Sequence, residues 1–169
     1  GVGGNHDTWD QLTNNGVEDL HARVIRWRKL TIAGFGGSLR YKDTPHYMFF
    51  TEQEARDLLS QMPACDILIT HAAPKSEDIQ PEQPVISEKE SFLTKISSLF
   101  AKPATNPYAS HTPDTSAPMY RGFYAISEYI QKHHPNFVLH GHIHEADTNW
   151  EGSTCVRSFY GLELFEIEI

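Results

Sequence analysis

The stretch Leu139-His140-Gly141-His142-Ile143-His144 ends in two histidines separated by one residue. It follows the apolar Asn136-Phe137-Val138, between Pro135 and Gly141, and so reads as a buried strand that ends at a turn. In extended backbone, residues two apart point to the same side, ~6.6 Å apart along the strand. His142 and His144 are therefore expected to present two imidazoles to one pocket. That arrangement suits one metal, or two metals ~3.5–4 Å apart with one His to each. A single histidine is more commonly a satisfied core residue. The chemistry therefore depends on what other stretches bring beside this pair.

Two do so. The chain opens on Gly1-Val2-Gly3-Gly4-Asn5-His6-Asp7. Its glycines allow tight turning and close backbone approach. Asn5 offers a carbonyl oxygen, His6 a titratable nitrogen and Asp7 a carboxylate. The same residues also read as an Asx-type turn in a Gly-rich loop, and both readings stay open. Further on, Cys65-Asp66-Ile67-Leu68-Ile69-Thr70-His71 is a short β-branched run, expected to be a buried strand with His71 at its carboxyl end. Sites in open α/β sheets gather at such strand ends.

The elements that must position these donors are legible around them. Residues 23–35 read as two short strands joined at Arg28-Lys29, with Gly34, Gly36 and Gly37 as turn glycines. Residues 51–62 carry a capping box, Thr51 to Glu54, and an apolar stripe of Ala55, Leu58, Leu59 and Met62, stopped by Pro63. Residues 119–134 read as a helix with Met119, Phe123, Ile126 and Ile130 on one face. Thr148–Trp150, Thr154–Ser158 and Leu162–Ile169 read as antiparallel strands, the first two joined at Glu151-Gly152. Residues 75–118 break the pattern as a proline- and serine-rich insertion. Within it, residues 88–101 are expected to form an amphipathic helix opened by Ser87-Glu88-Lys89-Glu90, with Phe92, Ile96 and Leu99 facing protein.

Composition narrows the class. At 169 residues, 39% hydrophobic and 21% charged, the chain is one domain's worth of globular protein. Acidic residues outnumber basic ones, 22 to 14, which disfavours a broad nucleic-acid footprint. A small phosphorylated substrate is compatible, because bound metal inverts the local field. No apolar run approaches ~18 residues, so no membrane span is expected. Two cysteines are too few for a disulfide framework, and a reduced, cytoplasmic setting is expected.

Taken together, Gly4-Asn5-His6-Asp7, Ile69-Thr70-His71 and Gly141-His142-Ile143-His144 resemble, in order, the G-N-H-D/E block, the isolated histidine and the G-H-x-H block of the calcineurin-like metallophosphoesterase superfamily. The resemblance runs from Asn5 to the C-terminus, and is weakest over residues 75–118. It implies an α/β fold, the family's two-sheet α-β-β-α sandwich, with its N-terminal part missing. It implies a hydrolase acting on a phosphomonoester or phosphodiester through a metal-activated hydroxide at a dinuclear centre of Mn, Fe, Zn or Mg. Asn5, His71 and His142 would ligate one ion and His144 the other. His6 would protonate the leaving oxygen, with Asp7 holding its ring.

The family's two earlier blocks, D-x-H and G-D, have no counterpart before Asn5. Asp66 and Asp147 stand near the right strands but in the wrong blocks. Residues 1–169 are therefore expected to be a single partial domain that relies on an upstream segment of the same protein, roughly 60 residues or two β-α units. Alone, the chain is expected to hold at most one divalent ion tightly. The rival expectation is a non-catalytic or single-metal module that binds through the 75–118 insertion.

Overall fold

A computed structural model describes residues 1–75 and 120–161. The expected helix at 88–101, most of the 75–118 insertion and the strand at 162–169 lie outside the described residues. The elements are β1 (Arg23–Trp27), β2 (Leu30–Phe35), β3 (Ser38–Leu39), β4 (Phe49–Phe50), β5 (Ile67–Thr70), β6 (Phe137–His140), β7 (Asp147–Glu151) and β8 (Thr154–Ser158), with helices α1 (Gln11–Asn14), α2 (Glu52–Gln61) and α3 (Tyr124–His133). Six strands form one sheet in the order β1-β2-β5-β6-β8-β7, and β3 pairs with β4 separately. The fold is mixed α/β. Where a two-sheet sandwich was expected, the second sheet among the described residues is this two-stranded pair.

The four inner strands are mutually parallel. Antiparallel β1 and β7 close the two edges. The order β2-α2-β5 and β5-α3-β6 gives two crossovers through helices, as neighbouring parallel strands require. Register aligns Ala33, Leu68, Val138 and Val156 in one row across the sheet. All four are buried, and they share a core with Ala55 and Leu59 of α2 and Ala125, Ile126, Tyr129 and Ile130 of α3. Alternation along each strand thus puts both helices on one face.

The capping box forms as its residues dictate: Thr51 Oγ1 accepts from the Glu54 N–H, and the Glu54 carboxylate accepts from the Thr51 N–H. Helix α3 begins at Tyr124 rather than 119. Gly122 explains the delay, since a Cβ there would sit 2.2 Å from the Ala73 carbonyl oxygen. Phe123, just before α3, is extended, and its N–H donates to that carbonyl. Gly34 also departs from expectation. It lies inside β2, where a Cβ would meet Leu20 and Val2 at 2.6–2.7 Å, so close approach of the N-terminal segment explains it and not a turn. No helix among the described residues is long and apolar enough to cross a membrane.

The N-terminal loops are pinned by His21. Its ring stacks on Phe50 at 5.0 Å, and its Nδ1 accepts from the Gly36 N–H at 3.0 Å. Burial pushes its pKa down, against a smaller upward pull from Asp19. Burial does the same to His71 and His140. A histidine kept neutral in the folded chain but titrating near 6.5 when unfolded costs stability as pH falls below ~6.5, at up to about 1.4 kcal/mol per pH unit for each such group. Urea midpoints of the metal-free chain are therefore expected to fall between pH 7 and pH 5, above the range in which carboxylates titrate. His21→Phe should shallow the slope. A midpoint that is flat or rises over that interval would contradict the buried neutral assignment.

Candidate metal centre

Register fixes where the candidate donors meet. Phe35, Thr70, His140 and Ser158 form one row at the carboxyl ends of β2, β5, β6 and β8. Beyond that row the backbone is stitched across: the His71 N–H donates to the Phe35 carbonyl, Gly141 N–H to that of His71, and Phe159 N–H to that of His140. His71 and the residues after His140 are thereby held side by side. The N-terminal loop comes in from β2's side, with the Gly37 N–H donating to the Gly3 carbonyl at 2.8 Å.

At this edge Asn5, 6% exposed, places its Oδ1 3.0 Å from His71 Nε2. Its side-chain N–H donates to the Tyr41 hydroxyl at 3.3 Å, which orients the amide oxygen toward the imidazole. Since Oδ1 only accepts, a hydrogen bond here puts the proton on Nε2, whereas ligation through Nε2 takes the other neutral tautomer, with the proton on Nδ1. The His142 ring, 8% exposed as a residue, lies with its centroid 4.7 Å from that of His71. Tyr120 packs against both His142 and His144, at 5.6 and 6.2 Å. His144 is exposed and stacks on Tyr160 at 4.9 Å.

The local backbone differs from the expected extended run. His142 and His144 both take positive φ, 70° and 55°, in a bend after Gly141. A positive φ is uncommon for a residue with a side chain. The bend brings His142 beside His71 by turning the chain, where strand alternation was expected to do so.

His6 and Asp7 separate. Gly4 N–H donates to Asp7 Oδ2 at 2.6 Å, and Asp7 N–H to the Gly4 carbonyl at 3.2 Å. The Asx-type reading of the loop thus coexists with the donor reading. Asp7 closes the turn that presents Asn5. His6 points outward, exposed, with its ring edge-on to Tyr47 at 6.5 Å.

The two other acids lie elsewhere. Asp66 sits at the amino end of β5, the opposite end from His71, and accepts from both the N–H and the hydroxyl of Thr31 at 2.7 Å. Those bonds hold its carboxyl below the usual range. Asp147 pairs with Ser158 in register, and its carboxylate accepts from the Asn149 side chain at 2.7 Å.

The donors fit one ion better than two. Ligands ~2.1 Å from a divalent ion stand ~3.0 Å apart when they occupy neighbouring octahedral positions. Asn5 Oδ1 and His71 Nε2 have that separation. Burial first, then the neighbouring histidines, lower the His71 pKa to about 3, so the ring is neutral near pH 7, as ligation requires. Among the described residues, no group of three or more His, Cys, Asp or Glu side chains is gathered to hold an ion. The third donor beside His71 and His142 is the Asn5 amide. For a second ion the described residues bring His144, with no such group gathered around it.

The sequence marks Gly4 as a glycine that allows close approach, and the geometry shows what approaches it. A Cβ on Gly4 would lie 2.8–3.1 Å from three atoms of the His71 ring. That ring is the free end of a side chain, so Gly4→Ala is expected to displace it with little loss of stability. Mn²⁺ affinity should fall by about 10- to 100-fold, the scale seen when a ligand's support is removed. Metal titration beside a urea curve tests this. Unchanged Mn²⁺ affinity would mean that His71 is not a ligand.

No protein-family profile and no curated protein matches this sequence. Among solved structures, the chain is similar to TT1561 of Thermus thermophilus, at a TM-score of 0.47 and 15% sequence identity, over 87% of this chain and 51% of that one. The chain thus spans about half the length of that structure.

Proposed function

We propose that this chain belongs to a metal-dependent phosphoesterase that hydrolyses a small phosphomonoester or phosphodiester. The observation that supports this most is the convergence of Asn5, His71 and His142, from three separate parts of the sequence, at the carboxyl edge of the parallel strands. Asn5, His71 and His142 would hold one divalent ion and His144 would serve a second. Such ions, when bound, supply neutralisation of phosphoryl charge and water acidified toward neutral pH.

The chain's own residues do the remainder. Asp7 and Gly4 fix the turn that aims the Asn5 amide. Tyr120 and Tyr160 pack on the two later imidazoles and limit their rotation. His6, exposed beside the buried donors, would give a proton to the departing alkoxide, the general-acid role that imidazole most often fills.

The test is turnover of bis(p-nitrophenyl) phosphate and p-nitrophenyl phosphate by the complete natural protein, with Mn²⁺ and after chelation. Metal-dependent hydrolysis that His142→Gln abolishes is expected. No hydrolysis of either ester with ions bound would sink the reading. A second reading, a single-metal binding module, is favoured by the want of a gathered carboxylate at His144 among the described residues. One ion bound per chain without turnover is its expected outcome.

A further inference from the structure

The segment between β3 and β4 docks on the N-terminal loop to either side of Asn5. On one side the Met48 side chain packs on Gly3, where a Cβ would lie 2.7 Å from its sulfur. On the other, Thr8 and Tyr47 form an antiparallel backbone bridge. Between these two contacts the Tyr41 hydroxyl accepts from the Asn5 side-chain N–H at 3.3 Å. The segment is closed at its base, where β3 pairs with β4 and the Arg40 N–H donates to the Phe50 carbonyl at 2.8 Å. Two neighbours hold the Tyr41 ring: Phe49 meets it edge-on at 5.0 Å, and the Lys42 ammonium lies 5.3 Å from its centroid.

Ligation asks something of Asn5 that it does not ask of the imidazoles. An amide carries an acceptor and a donor of nearly equal size, and only the oxygen can meet a cation. In the structure the amide is held at both ends, Oδ1 by His71 Nε2 and Nδ2 by Tyr41. Ligation through Nε2 moves the His71 proton to Nδ1, so the oxygen-side bond and ligation exclude each other. The nitrogen-side bond is compatible with ligation. A cation on Oδ1 polarises the amide and makes its N–H a stronger donor to Tyr41. Asn5 is buried, so without that hydroxyl the same N–H would be a buried donor robbed of its acceptor, and rotation of the amide to find another would carry Oδ1 away from the ion.

We propose that Tyr41 is a positioning residue of the candidate metal centre: its hydroxyl holds the Asn5 amide with the oxygen toward the ion, and the docked segment 41–48 fixes where that hydroxyl stands. The inference rests on the metal-dependent reading, in which Asn5, His71 and His142 are ligands. The action of Tyr41 passes through Asn5. It should therefore appear in metal affinity, and it should vanish once Asn5 offers no amide. A residue that merely packs the loop would show itself in stability instead.

Calorimetric titration of the complete natural protein with Mn²⁺, run beside urea unfolding, tests this on Tyr41→Phe, Asn5→Ala and the double variant. Tyr41→Phe keeps the ring against Phe49 and Lys42 and removes the hydroxyl alone. It is expected to weaken Mn²⁺ binding about tenfold, the scale of a lost ligand support, with the urea midpoint of the metal-free protein close to that of the parent. Asn5→Ala should weaken binding at least as much, and adding Tyr41→Phe to it should cost nothing further, as two residues acting through one contact require. Unchanged affinity in Tyr41→Phe, beside a loss in Asn5→Ala, overturns the positioning role and leaves the metal reading standing. A Tyr41→Phe loss that persists in full in the Asn5→Ala background also overturns it, since the hydroxyl would then act elsewhere. Unchanged affinity in Asn5→Ala would sink the donor assignment itself, and the positioning role with it.

Discussion

His6→Ala in the complete natural protein is expected to lower turnover of an alkyl phosphoester by about 10²–10⁴, with bound metal unchanged. The reason is the division of labour at the N-terminal loop. Asn5 is buried and points at His71, whereas His6 is exposed and faces Tyr47. Loss of its ring should therefore leave the donors intact. An alkoxide is a poor leaving group and needs a proton as the ester bond breaks, so its hydrolysis should suffer fully. A p-nitrophenolate leaves without one, and the defect should shrink to a few-fold on bis(p-nitrophenyl) phosphate. The contrast between the two substrates carries the test. Equal losses on both, or metal lost along with activity, would make His6 a structural or ligand residue. Asp7 is expected to act through the loop, since its carboxylate is held by the Gly4 N–H. Asp7→Asn should weaken metal binding as well as turnover, which His6→Ala should not.

What could be read before the structure was whatever local pattern encodes. The β5 and β6 runs are short, apolar and flanked by turn residues, and a histidine after each lands at a carboxyl end because parallel strands share a direction. The hairpins β1-β2 and β7-β8 followed from their turn residues, and α2 from its cap and stripe. What escaped was set by contacts between distant segments. Nothing local reveals that Gly34 faces Leu20 and Val2 within a strand, or that Gly4 gives room to the His71 ring. Tyr41, whose hydroxyl receives the Asn5 amide, sits 36 residues away in a loop without periodicity. The left-handed backbone at His142 and His144 is invisible for another reason. Gly141 signals a turn there, but it does not show that His142 and His144, whose rings meet Tyr120 and Tyr160, are the neighbours that take positive φ. Asp66 shows the converse: a carboxylate one strand-length from a ligand-type histidine is, by position on that strand, a cap on β2 and β5.

Phe35→Ala is expected to produce the largest loss of stability, about 3–5 kcal/mol. Phe35 closes β2 and is fully buried. Its ring touches His21 at 5.2 Å, Phe50 at 5.4 Å and Phe123 edge-on at 5.6 Å. Phe50 stands just before the cap of α2, and Phe123 is the residue at the start of α3. One side chain thus joins the end of β2 to the entry of both helices and to the histidine that pins the N-terminal loops. Removing it leaves a cavity among rigid rings that cannot collapse without moving a helix start. Against a typical total of about 5–15 kcal/mol, the loss should shift the urea midpoint steeply. Trp150→Ala, on the exposed edge strand β7, should stay within about 0.5 kcal/mol. The folded fraction of the Phe35 variant should nonetheless bind Mn²⁺ with near-normal affinity. The Phe35 carbonyl accepts the His71 N–H, and that contact with a candidate donor survives the substitution. A loss below about 1 kcal/mol would show that the site edge can repack, and that the aromatic cluster does not fix the approach of the helices to the strand ends.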